Sequence, residues 1–202
     1  AIANGTLRGE ARDHALRLLS RFPGEQAEQR LLALLADPSL PHDARVLVLM
    51  SLAEVGSEAA ARAADAIVWN ETDPELVRVA ALCRFRILAR EGGGRLAPAE
   101  RSRLAARLEP LLEAAVGRDD LEGASALAFS LAEIVGLPPA HYLAALAADR
   151  RFTTASRRFA LETLATLGDP SVLPALERLR DRLDEPALEP ALLAAIAALD
   201  RP

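Results

Sequence analysis

The sequence predicts an all-α fold in which helical hairpins stack side by side as an α-solenoid. Three observations predict it. Hydrophobic residues make up 51% of the 202 positions but aromatics only 3%, so the apolar content is mostly Leu and Ala, both strong helix formers. Runs of Val, Ile and Thr alternating with polar residues, which would mark strands, are absent. Finally, Ser156–Asp181, SRRFALETLATLGDPSVLPALERLRD, sets out one whole hairpin. Ala160, Leu161, Leu164 and Leu167 form one apolar stripe, and Val172, Leu173, Leu176 and Leu179 form a second. Between them stands Gly168-Asp169-Pro170, with Gly at a helix end and Asp-Pro at a helix start.

Eleven helices follow in order. Thr6 caps the first, which runs to about Arg21 and stops at Pro23-Gly24; the second covers about Glu25–Ala36. A third runs from Pro41 to Val55 with Gly56 as its stop, and Ser57 caps a fourth that ends near Trp69. Asp73-Pro74 opens a fifth, reaching Glu91; Gly92-Gly93-Gly94 then reads as a hinge or extended loop. Ala97-Pro98 begins a sixth, which Pro110 is expected to kink or split because proline lacks the donor for the preceding turn. The seventh, about Asp120–Val135, stops at Gly136, and the eighth runs from Pro138-Pro139 to near Asp149. Thr153 or Thr154 caps the ninth, Pro170 leads the tenth and Pro186 the eleventh. Short linkers make consecutive helices antiparallel neighbours.

The first helices of successive pairs align on Ala15-Leu16, Val48-Leu49, Ala81-Leu82, Ala128-Phe129 and Ala160-Leu161, spaced by 33, 33, 47 and 32 residues. Arg12, Arg45, Arg78 and Arg157 each stand three residues before four of these five. A period near 33 in helix pairs is the signature of a stacked-repeat superhelix. It sets repeats at about 6–37, 38–72, 73–117, 118–150 and 151–185, with a half repeat over 186–202, in a single domain. Ala191–Leu199 lacks any polar side chain, and a helix apolar all round expects burial on more than one side. With no starting Met and an ending that echoes Leu167-Gly168-Asp169-Pro170, the segment reads as part of a longer chain.

Arg157, Ala160, Leu164, Leu167-Gly168-Asp169-Pro170, Pro174-Ala175-Leu176 and Leu179 resemble the short HEAT-like repeats also found in phycobilisome lyases. Asp73-Pro74-Glu75-Leu76-Val77-Arg78 resembles the opening of such a repeat. The resemblance implies a right-handed α-solenoid of about five helix pairs plus one extra C-terminal helix. It also implies a scaffold or partner-binding role, less often a lyase subunit or a DNA-repair glycosylase. The motif itself is one of packing. An Asp such as Asp73 or Asp169 can cap the following helix, and an Arg one turn into a first helix can bridge to the neighbouring repeat.

Little in the sequence points to catalysis, and the chain is expected not to be an enzyme. His14, His42 and His141 lie in separate repeats with no HExxH or CxxC, which predicts no metal site and no cofactor. Cys83, the single cysteine, sits among Leu82, Phe85 and Ile87 as a structural thiol, and a reducing, cytoplasmic compartment suits it. No apolar run approaches the ~20 residues that span a bilayer, and the first residues lack a leader pattern.

Charge is uneven. Residues 1–77 carry a net −5, residues 78–107 a net +6 from eight Arg against Glu91 and Glu100, residues 108–149 a net −6, and the remainder zero. In a stack of repeats this predicts a basic band flanked by acidic ones. It is either a salt-bridged helix face or an anion-binding groove, which Arg150, Arg151, Arg157 and Arg158 could extend. The expected function is a protein-interaction module holding a protein or peptide on its concave, second-helix face. Arg62, Trp69, Arg95, Arg101, Arg103, Arg107 and Tyr142 would supply the contacts, and the arginines would favour an acidic partner. The net charge of −5 and the scarcity of aromatics argue against nucleic acid. The alternatives are a nucleic-acid-binding protein of the DNA-repair glycosylase type and a bilin lyase subunit.

Overall fold

The computed structural model describes residues 24–91 and 97–200. The helix expected over residues 6–21, Arg12 and the Gly92–Gly94 hinge lie outside them. Among the described residues there are ten α-helices, two 3-10 turns and no strand. The chain divides into two compact units, Ala1–Arg101 and Ser102–Pro202.

The N-terminal unit holds α1 (Glu25–Leu35), α2 (His42–Val55), α3 (Glu58–Asn70) and α4 (Pro74–Glu91). Each boundary has a local cause. Ser57 accepts a hydrogen bond from the Ala60 N–H at the start of α3 and donates one to Glu28 on α1. Asp73 does the same for α4 through the Leu76 N–H at 2.9 Å. Gly56 ends α2 with φ +74°, a left-handed conformation in which any Cβ is strained. α1 packs on α2, α3 on α4, and α2 on α4, so that one first helix lies against the next. Val48, Leu49, Leu52, Ala64, Val68, Val77 and Ile87 are fully enclosed between them.

Helix α5 (Pro98–Gly117) runs across the division between the units. Pro110 neither ends nor splits it. Leu104, Leu108, Leu112 and Ala115 continue one buried stripe through the proline, and that packing outweighs the one lost backbone bond.

The C-terminal unit continues with α6 (Leu121–Val135), α7 (Pro139–Ala148), α8 (Thr154–Leu167), α9 (Leu173–Arg180) and α10 (Glu189–Leu199). The chain turns by 102° between α6 and α7, short of a strict antiparallel return. Thr153, not Thr154, caps α8, accepting from Ser156 and donating to Glu113 on α5. Pro170 and Pro186 each open a 3-10 turn that leads into its helix. α8 lies against α7 and α10, and α7 against α9. The apolar face of α10 is half used: Leu192, Ala195 and Leu199 are buried, while Leu193 stays 47% exposed.

This is the all-α architecture of stacked helical hairpins that the 33-residue period predicts. No single helix among the described residues is long and apolar enough to cross a membrane.

Candidate functional site

The described arginines of the basic band lie on α4 and α5. On α4, Arg84 pairs with Asp65 of α3 at 3.4 Å, with a side chain only 19% exposed. Arg90 donates to the carbonyls of Ala53 and Glu54 at 2.7 and 3.1 Å, which are the open carbonyls at the end of α2. A cation there also meets the negative end of the helix dipole. These α4 arginines are internal fastenings. Arg101, Arg103 and Arg107 follow on α5, with Arg103 exposed and the other two half-buried; each has an interaction within the molecule. Arg95 lies outside the described residues.

The other expected contact residues separate by burial. Arg62 and Trp69 share one face of α3: Arg62 is exposed and paired with Glu58 one turn back. Trp69 is 36% exposed and donates through Nε1 to Asp65 at 3.1 Å, the same carboxylate that meets Arg84. Tyr142, by contrast, packs inward at 8% exposure, and its hydroxyl has no hydrogen-bond partner among the described residues. Burial, with Glu109 nearby, raises its pKa above the ordinary tyrosine value. A ring so placed is core, not a contact surface.

Beside Tyr142 the C-terminal unit opens a cleft of about 540 Å³ between α7 and α9. Ala144, Ala145, Ala148, Val172, Pro174 and Leu179 give it an apolar wall. Arg150, Arg157, Arg178 and Arg182 give it positive character, against the single lining acid Asp184. Arg157 is 5% exposed; its Nε donates to the Ala147 carbonyl at 2.9 Å and its Nη1 to Glu185. A charge buried this deeply must be paired, and here it is. Arg150 pairs with Asp184 at 2.7 Å. Arg178 and Arg182 are exposed and have no carboxylate partner among the described residues. Segment charge concealed them, because residues 150–202 sum to zero and two of the compensating acids are taken by Arg150 and Arg157.

Burial pushes the Cys83 thiol up to about 12, and it is 2% exposed, as a structural thiol should be. Among the described residues no three His, Cys, Asp or Glu side chains gather where a metal ion could be held.

No protein-family model matches the chain, and no curated protein does. One similar solved structure is that of human deoxyhypusine hydroxylase in complex with glycerol. It is 15% identical, with 98% of this chain and 82% of that one covered and a TM-score of 0.41. At a TM-score of 0.41 the likeness carries no argument about the fold, and the narrower phycobilisome-lyase type is not supported. The expectation that the chain is not an enzyme is corrected by this finding, since the similar structure is an enzyme's. At that identity and score the likeness assigns no activity to this chain.

Proposed function

We propose that the chain holds a protein or peptide partner on the exposed side chains of its second helices. The observation that carries this reading is the α7–α9 cleft, where an apolar wall adjoins arginines without acids of their own. Arg62 and Trp69, exposed on one face of α3, support it, since Trp and Arg are residue types enriched at binding hot spots. Arg101, Arg103 and Arg107 on α5 stand as further contacts. Nucleic acid fits less well, because the cleft presents no aromatic ring on which a base could stack.

Selection of displayed random peptides against the purified chain tests this. Enrichment of a sequence class is expected, with binding lost in Arg62→Glu or Trp69→Ala for a class held by α3, or in Arg178→Glu for a class held by the cleft, and kept in Met50→Ala, a first-helix surface change. Absence of enrichment, or binding indifferent to all three second-helix changes, would overturn it.

A further inference from the structure

We infer that the α7–α9 cleft takes an extended acidic segment of a partner polypeptide, one in which Asp or Glu side chains flank an apolar residue. This rests on the partner-binding reading above and names the chemistry of that partner. The chain shows what the cleft's arginines accept. On the side nearer α8 its own carboxylates already occupy the sites: Asp184 lies on Arg150 at 2.7 Å, and Glu185 on Arg157. Arg178 in the last turn of α9 and Arg182 just past its end present the same guanidinium forks with no acid paired to them among the described residues. Cations are favoured at a helix C-terminus by the dipole alone, but Arg180 in that same turn has Asp181 at 3.4 Å. Those two arginines therefore leave one side of the cleft with a surplus of positive charge that carboxylates would complement.

The wall specifies the rest. Ala144, Ala145, Ala148, Val172 and Leu179 are small or apolar and leave about 540 Å³, ample for an aliphatic side chain with the backbone on either side of it, and they offer no stacking surface. A bare phosphate would leave that wall wetted, and a nucleotide base would find no ring. An acidic segment with an aliphatic residue satisfies guanidinium and wall together, with bidentate carboxylate geometry on each fork.

Fluorescence anisotropy with a labelled Glu-Glu-Leu-Glu-Glu-Leu peptide tests the inference, against the same peptide with Gln for Glu, with Lys for Glu and with Ala for Leu. Inorganic phosphate and a thymidine hexanucleotide serve as competitors. The Glu/Leu peptide is expected to bind the wild type at least tenfold more tightly than each of the other three. That binding should fall at least tenfold in Arg178→Gln/Arg182→Gln and stay unchanged in Arg180→Gln, with circular dichroism confirming helicity. Equal or better binding of the Gln or Lys peptide would overturn the acidic class and leave the partner-binding reading standing. Displacement by phosphate or the hexanucleotide at equal concentration would overturn the polypeptide class. If none of the four peptides binds, the inference fails, and the display selection decides the broader reading separately.

Discussion

In the N-terminal unit Arg45, one turn into α2, reaches Glu71 at 3.5 Å and leaves its buried Nε without a hydrogen bond. In the C-terminal unit Arg157, at the same place in α8, bonds both the Ala147 carbonyl and Glu185. The two hairpins correspond residue by residue at an offset of 112: Arg45 with Arg157, Gly56 with Gly168, His42 with Thr154, Asp73 with Glu185. The difference traces to the last pair. Glu185, one methylene longer, takes both Thr154 and Arg157. Asp73 is shorter, faces His42 at 3.3 Å and also caps α4, so Arg45 turns to Glu71 instead. Equivalent helices can thus share a packing plan while their polar fastenings are rewired by one side-chain length.

The largest effects should be those the two hairpins share. Leu52→Ala and Leu164→Ala, at equivalent fully buried positions, should each cost about 3 kcal/mol in urea unfolding. Costs differing by much more than the additivity error would show that the packing is not common to both. Arg157→Leu comes next. It strands Glu185 and the Ala147 carbonyl and should cost about 3 kcal/mol, the low end for a broken buried pair because Glu185 is partly wet. Arg45→Leu should cost about 1 kcal/mol or less, as its pair is longer and half-exposed. Equal losses would break the comparison.

The glycine stops separate the units by a smaller margin. Both are left-handed, so alanine strains each by roughly 1–2 kcal/mol. At Gly168 nothing lies within 4 Å of the new Cβ, whereas at Gly56 it meets the Arg90 Nη1 at 3.2 Å and disturbs that side chain's bonds to the end of α2. Gly56→Ala should therefore lower the melting temperature more than Gly168→Ala; the reverse order would mean that Arg90 contributes nothing there.

The smallest effect is pH-dependent and belongs to the N-terminal unit alone. Burial pulls the His42 pKa down, but Asp73, Asp43 and Glu75 together raise it above the usual histidine value. A raised histidine stabilises the fold fully below about pH 6.5 and loses that contribution as pH climbs through the folded-state value. With the ring 39% exposed, about 0.5 kcal/mol should vanish between pH 6 and 8. Thr154 cannot titrate, so hydrogen exchange in α8 should not share the change, and His42→Asn should flatten it in α2. A pH response of α8 that survives in that variant would sink the assignment.

Helix existence and most boundaries were legible because they rest on local chemistry. Gly56, Gly136 and Gly168 end helices in the left-handed region, and Asp73, Asp120 and Asp169 bond the N–H groups of the turns that follow. The split expected at Pro110 does not occur, since an inference from one missing donor ignores the buried stripe that carries α5 through it. Tyr142 misled for a related reason: helical spacing puts a residue on a second helix, but does not say which side of that helix a neighbour covers.

The sequence by itself determined the all-α class, the hairpin repeat and the capping residues, because backbone propensity, capping and apolar periodicity act over a turn or two of chain. Only the tertiary structure decided which arginines are fastened internally and which face a cleft. Those pairings join residues 10 to 37 positions apart, across separate helices whose side-chain reach, down to a single methylene, chooses the partner.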